Sequence, residues 1–364
     1  MSAGRSRGRM IRNGGRTEMT TSRPYILWAV LTTAGILSGS STVWGKDLPT
    51  QTGEIFAMDT YMTVSATGEN AKEAVDASLE EIQKLDALWS VGNEDSVVSR
   101  LNRNENVELD KDTSRLLQKA LEISTDTDRA FDITVYPLME EWGFTTGEFK
   151  VPSRQRLEEL LEHVDAGRLE YDGESTFTLP EEMQIDLGGI AKGYASDRIM
   201  EIFREYGITA GLVSLGGNVE TFHTKTDGSP WRVGIRNPDT SLPALAKAEL
   251  TGIVEAADEA VITSGGYERY FEEDGITYHH ILDPETGMPA DSGLISVTIV
   301  SPDGCLADGL STALFVMGRE EALAYWDRHR DAFDAILVEE DGSITVTAGL
   351  TGTFSSELQF EIVS

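Results

Sequence analysis

Apolar residues recur along the chain with two different periods. Between residues 70 and 88, Ala74, Ala77, Leu79, Ile82, Leu85 and Leu88 fall near helical spacing, with Asn70 placed as a cap. The same spacing over 112–126 (Leu116, Leu117, Ala120, Leu121, Ile123) predicts a second helix. Further helices are predicted over Ala191–Glu205, 307–315 and 320–328. Alternation through Ile55, Ala57, Thr63 and Val64 predicts one strand over 54–66. Other strands are predicted near 177–179, 184–187, 211–215, 231–235, 248–254, 260–263, 295–299, 335–338 and 343–347. The two kinds of element mix without a strict β-α-β-α rhythm, and several strands look hairpin-linked. That pattern favours an α+β fold over a doubly wound parallel sheet.

The first 45 residues read as a separate segment. Arg5, Arg7, Arg9, Arg12, Arg16 and Arg23 make a basic leader with one acid, Glu18; an apolar run from Tyr25 to Leu37 and the small residues Ser38-Gly39-Ser40-Ser41 follow. Basic, apolar, small is the layout of a secretory signal. The apolar run is short beside the ~20 residues of a spanning helix. Two outcomes stay open: cleavage near Gly45, or retention as an N-terminal anchor, then the only membrane attachment. The leader has no cysteine, which excludes a lipid anchor processed at one, and Met10 and Met19 are alternative starts. The expectation is an exported, extracytoplasmic protein whose folded domain spans 46–364.

Composition narrows the partners. With 40% apolar and 25% charged residues, the chain is globular in type. A formal net charge of −32 disfavours nucleic-acid backbones and anionic membrane surfaces, both of which need basic patches. The same balance suits solubility in a salty medium. A single cysteine, Cys305, excludes an intramolecular disulfide and a cysteine-rich metal site, and it reads as a small, half-buried hydrophobe.

Candidate chemistry gathers where glycines adjoin polar residues. In Asp186-Leu187-Gly188-Gly189-Ile190-Ala191-Lys192-Gly193, a strand is expected to end in two glycines as a helix begins. Amides bare at that helix start could meet phosphate oxygens, with Lys192 adding a positive charge. The stretch is neither a P-loop nor a GxGxxG fingerprint, and a plain tight turn is the alternative. Leu215-Gly216-Gly217-Asn218 and Ser264-Gly265-Gly266-Tyr267 leave the same choice between turn and phosphate cradle. Asp308 and Thr312, four apart on one helical face, offer hard oxygen ligands suited to Mg²⁺. Alternatively, Asp308 serves the helix N-terminus and Thr312 bonds its own backbone. His279 and His280, adjacent on a strand, must point to opposite sides, and Asp283-Pro284 followed by Gly287 reads as a turn. No Ser–His–Asp or HExxH arrangement is present.

In this order the stretches resemble the ApbE family, the FAD:protein FMN transferases. The resemblance is carried by 186–193, Ser264-Gly265-Gly266-Tyr267, His280-Ile281-Leu282-Asp283-Pro284 and Asp308-Gly309-Leu310-Ser311-Thr312. Phe131-Asp132-Ile133-Thr134-Val135 and Asp95-Ser96 through Arg100-Leu101-Asn102 add to it. It runs from about Glu54 to the C-terminus and implies a single ApbE-like, T-fold-related domain with mixed, mainly antiparallel sheets and flanking helices. It further implies that Met58 contacts the flavin, that Ala130, Phe131 and Asp132 line the dinucleotide site, and that Asp186 and Lys192 hold FAD. The Gly189 carbonyl, Asp308, Thr312 and, as a further candidate, Ser311 would bind Mg²⁺, while His280 and Ile281 would sit beside the flavin. Two departures stand out. The family's Met-Gly-Thr is here Met58-Asp59-Thr60, and an aromatic of the family's pattern is Gly92, with Trp89 the candidate to replace its stacking surface.

The implied activity is Mg²⁺-dependent transfer of FMN from FAD to a Thr or Ser hydroxyl of an acceptor protein, with release of AMP. A neutral hydroxyl needs a base, and His280 is the candidate because histidine titrates near neutrality, with Asp283 in reserve. Two rivals share these residues: an FAD pyrophosphatase in which water attacks, and a non-enzymatic flavin-binding envelope protein.

Overall fold

The computed structural model describes residues 48–364 apart from 174, 239–241 and 247; the leader lies outside the described residues. The strands are β1 (Thr50–Ala57), β2 (Thr60–Thr67), β3 (Glu170–Tyr171), β4 (Phe177–Thr178), β5 (Ala210–Leu215), β6 (Asn218–Phe222), β7 (Trp231–Arg236) and β8 (Leu250–Ala256). They continue with β9 (Ala260–Gly265), β10 (Tyr270–Glu273), β11 (Ile276–His279), β12 (Leu294–Ser301), β13 (Asp334–Glu339), β14 (Ile344–Thr347), β15 (Phe354–Ser355) and β16 (Glu361–Val363). The helices are α1 (Ala71–Trp89), α2 (Val97–Asn102), α3 (Lys111–Asp126), α4 (Tyr136–Trp142), α5 (Arg154–Leu161), α6 (Ala191–Glu205) and α7 (Gly304–Arg328).

Nine strands form one sheet in the order β1-β2-β5-β6-β9-β12-β13-β14-β16, antiparallel throughout except for the parallel β14–β16 pair. Period-two alternation serves both faces. Ile262, Val297, Ile299 and Leu337 point into a core shared with Ile82 and Leu85 of α1, Ile199 and Phe203 of α6, and Leu310 and Leu314 of α7. Their neighbours Val261, Val300, Ile336 and Val338 point the other way, onto Val233, Val254 and Phe354 of a three-stranded sheet, β15-β8-β7. A third cluster joins α4 and α5 to the β10–β11 hairpin through Leu138, Trp142, Phe144, Leu157, Phe271 and Tyr278. The architecture is α+β.

Several expected elements differ in form. The strand expected over 54–66 is a hairpin, because Met58 (φ 47°) and Asp59 (φ 58°) reverse the chain in a two-residue turn. Asn70 stands at the start of α1 without capping it; its side-chain Nδ2 donates to the Tyr206 carbonyl. No strand forms over 184–187. There Asn102 takes the place of a ladder, its side chain donating to the Ile185 carbonyl (2.9 Å) and accepting from the Ile185 amide (2.8 Å). The two helices expected over 307–315 and 320–328 are parts of α7, broken at Gly318 (φ 77°, ψ 172°). Trp89 is core, 4% exposed, with Nε1 donating to Thr113 Oγ1 and its ring edge-on to Tyr194, so it offers no stacking face to a ligand. Cys305 is buried outright rather than half-buried.

Candidate active site

Helices α6 and α7 cross where glycine removes the side chains. A Cβ on Gly193 would lie 2.1 Å from the Gly304 carbonyl oxygen and 2.7 Å from Asp308 Cβ, and one on Gly304 would lie 3.0 Å from the Gly193 carbonyl. Glycine inside a helix costs about 1 kcal/mol relative to alanine. Here the cost is offset by an approach that sets Asp308, 4% exposed, against the first turn of α6. The Gly193 amide donates to Asp308 Oδ2 (2.9 Å), and Lys192 Nζ stands 3.7 Å from Oδ1. The helix-capping alternative for Asp308 falls to Asp303, whose side chain accepts from the Leu306 amide.

Thr312 lies one turn along α7 from Asp308 and is half-buried. Its Oγ1 is 3.3 Å from Ser264 Oγ and would be 3.9 Å from a Cβ on Gly189. Asp308, Thr312, Lys192 and the Gly188-Gly189 turn are therefore brought together, and Ser264, at the end of β9, joins them. Ser264 stands in a motif that the sequence marked for its glycines alone. Ser311 is fully buried, with its hydroxyl donating to the Asp308 carbonyl and paired with Ser264 Oγ at 2.7 Å, which leaves it little capacity for a further ligand.

The start of α6 is less bare than the glycines suggest. Asp186 Oδ1 accepts from the Gly188 amide, and the Leu187 carbonyl accepts from the amides of Ile190 and Ala191. Of the three glycine pairs only Gly188-Gly189 adjoins a helix; Gly216-Gly217 turns β5 into β6, and Gly265-Gly266 ends β9. Positive charge at the site comes instead from side chains. Burial pushes the Asp186 carboxyl above the usual range, against the partial opposition of the Gly188 amide and then of the Arg269 guanidinium and Lys192 ammonium. Asp59, in the turn beside Met58, adds repulsion. That turn is pinned by the Met58 amide, which donates to Asp86 Oδ1 (3.0 Å).

His280 follows β11, and the Arg269 carbonyl accepts from its amide (3.0 Å) and lies 3.2 Å from its Nδ1. A carbonyl only accepts, so Nδ1 carries the proton and Nε2 keeps a free lone pair. Burial, then the Arg269 guanidinium, lowers the imidazole to about 3; its charge is lost well below neutrality, contrary to the expectation of an ordinary histidine. His279 points elsewhere, edge-on to Phe315 with Nε2 3.2 Å from the Ala290 carbonyl. Asp283 is held by its own turn: Oδ1 accepts from the Glu285 amide and Oδ2 from Thr286 Oγ1, both at 2.8 Å. That engagement counts against its service as a reserve base.

The remaining expected contacts divide. Half-buried Met58 and Ala130 pack at the edge of the main core, whereas Phe131 and Ile281 are nearly closed off, each 4% exposed. Phe131 lies under Gly189, 3.1 Å from where a Cβ would stand. Asp132 is buried, and its carboxylate accepts from the Thr134 amide and hydroxyl and from the Ala166 amide, so its oxygens serve the loop rather than open space. Asn102, the last residue of the motif that begins at Asp95-Ser96, has a role the sequence did not assign: its clamp on Ile185 fixes the backbone that presents Asp186.

Known proteins are similar to this chain in sequence and in fold. The model of the ApbE family matches residues 58–337. The chain belongs to the ApbE family. The FAD:protein FMN transferase of Haemophilus influenzae is 30% identical over 296 residues, 78% of this chain and 83% of that protein. The Escherichia coli K12 protein of the same name is 31% identical over 279 residues, covering 73% and 78%. Among solved structures, the ApbE protein of Thermotoga maritima superposes with a TM-score of 0.77 at 35% identity, over 85% of this chain and all of that one. The flavin transferase ApbE of Vibrio cholerae gives 0.73 at 26% identity, over 84% of this chain and all of its own.

Proposed function

We infer that this protein is an FAD:protein FMN transferase that uses magnesium and flavinylates a Thr or Ser hydroxyl on an acceptor protein. The observation that carries the reading is the junction of α6 and α7, where Asp308 and Thr312 face the Gly188-Gly189 turn beside Lys192. One carboxylate, a hydroxyl and a backbone carbonyl form a hard oxygen set, the chemistry that suits Mg²⁺. Among the described residues no three His, Cys, Asp or Glu side chains gather as metal ligands, so nothing there competes as a softer site. Asp308, Thr312 and the Gly189 carbonyl would hold the ion, which would supply charge neutralisation on the pyrophosphate.

The chain's own groups account for the remaining steps. Lys192 and Arg269 offer positive charge to the pyrophosphate oxygens and to the departing AMP. The acceptor hydroxyl oxygen bonds to the FMN-side phosphorus, and the bond from that phosphorus to the bridging oxygen breaks. AMP leaves with that oxygen, and the hydroxyl proton passes to Nε2 of His280. The Arg269 carbonyl holds Nδ1 protonated and leaves Nε2 the lone pair for it; with the imidazole at about 3 in the free enzyme, His280 is a weak base unless the bound pyrophosphate's charge offsets the Arg269 guanidinium. Export by the N-terminal segment belongs to the same proposal and places the reaction outside the cytoplasm.

The test is product analysis with FAD and Mg²⁺, in the presence and absence of a candidate acceptor. Transfer predicts AMP release that depends on the acceptor, matched by covalent flavin fluorescence on it. Equal AMP and free FMN in both cases would establish the pyrophosphatase reading instead.

A further inference from the structure

The turn Gly216-Gly217 does not end as a phosphate cradle; it delivers a side chain. Gly216 (φ 65°) and Gly217 (φ 101°) close the β5–β6 hairpin, and a Cβ on Gly216 would meet Thr60 at 2.6 Å. The next residue, Asn218, opens β6 and is 4% exposed. Its Nδ2 donates to Asp308 Oδ1 at 2.8 Å, while the Gly193 amide holds Oδ2. Each carboxylate oxygen is thereby fixed by one donor, one from the sheet and one from α6, and each keeps a further lone pair.

We propose that Asn218 is a positioning residue for the metal site: it locks the Asp308 carboxylate in the orientation that receives the divalent cation. This rests on the magnesium reading above. Without Asn218, Oδ1 loses its short neutral donor and keeps only Lys192, 3.7 Å away, so the carboxylate can swing toward the ammonium and away from Thr312. A neutral amide suits the task because it orients the carboxylate without cancelling the charge that attracts the cation. Loss of such an outer-shell partner typically weakens metal affinity about 10–100-fold.

The experiment titrates Mn²⁺ into the full chain in the presence of FMN and AMP and follows loss of the free-ion electron paramagnetic resonance signal. The unaltered protein, Asn218→Ala, Asn218→Leu and Asp308→Asn are compared, each also melted in EDTA. The proposal expects tight binding by the unaltered protein, none by Asp308→Asn, and affinity at least about tenfold weaker in both Asn218 variants. Saturating Mg²⁺ should then restore most of their turnover of FAD. Asn218→Leu matches the lost side chain in bulk, so it decides the matter if the alanine variant does not fold. Unchanged Mn²⁺ affinity in the Asn218 variants overturns the proposal, and a lowered melting point in EDTA with unchanged affinity shows a merely structural role. Equal binding by the unaltered protein and Asp308→Asn would instead remove the metal reading itself.

Discussion

His280 shows how a local environment rewrites a residue's expected chemistry. Its motif was legible in the sequence, but its charge state was not, because that depends on burial and on Arg269 eleven residues away. With the imidazole lowered to about 3, the ring is neutral at every pH where the protein is expected to work. The free-enzyme profile of kcat/KM should therefore show no acid limb near pH 6.5, and a limb there that disappears in His280→Ala would contradict the assigned state. His280→Ala should retain FAD binding and slow transfer about 10²–10⁴-fold, read as covalent flavin on the acceptor over time. The linkage has the same sign. A histidine near 6.5 when unfolded and about 3 when folded favours the native state above pH 6.5, and that contribution is lost as pH falls toward 3. Asp283 and Trp89 were chemically reasonable candidates from sequence. Their partners bear on those roles: Glu285 and Thr286 engage the Asp283 carboxylate, and Thr113 and Tyr194 hold Trp89 in the core.

Among the elements, those with a long apolar period were the most legible: α6 falls over Ala191–Glu205 as its spacing predicts, and α3 within a residue of its predicted start. The misread pieces are those whose backbone is shaped by special partners. Met58-Asp59 turns left-handed without the Asn-Gly or Asp-Gly signal of such hairpins. The 184–187 segment joins no strand; Ile185 bonds to the Asn102 side chain, 83 positions away, and the Asp186 amide donates to the Ile133 carbonyl. The junction of α6 and α7 is likewise invisible locally, since glycines in two helices mark a crossing only once both are in place. Gly193→Ala should destabilise the fold by about 1–3 kcal/mol through overpacking, measured by denaturant unfolding, and should lower metal affinity by pushing α7 from the Gly193 amide. Unchanged stability with unchanged metal affinity would mean that the helices do not meet as closely as described.

On the scale of the whole molecule, the charge of −32 was readable from composition, but which cations meet which carboxylates at the site was not. The site sets Lys192 and Arg269 among the carboxylates Asp186, Asp308 and Asp59, so its cations stand within an acidic surrounding rather than reversing its sign. Elsewhere, self-repulsion should be relieved by salt. The melting temperature should rise as NaCl is raised to about 1 M, where the screening length falls to about 3 Å; a fall would show that attractive pairs dominate instead.

The central claim is that one carboxylate, Asp308, sustains both phosphoryl chemistry and its metal dependence. Asp308→Asn keeps the shape of the side chain and removes the charge that holds a hard cation. The direct measurement is mass spectrometry of the acceptor after incubation with FAD, Mg²⁺ and either the unaltered protein or the variant. The account predicts an adduct of one FMN, joined with loss of AMP, for the unaltered protein. It predicts no adduct for Asp308→Asn, and none for the unaltered protein in EDTA until Mg²⁺ is returned. Full flavinylation by Asp308→Asn, or by the unaltered protein in EDTA, would contradict it.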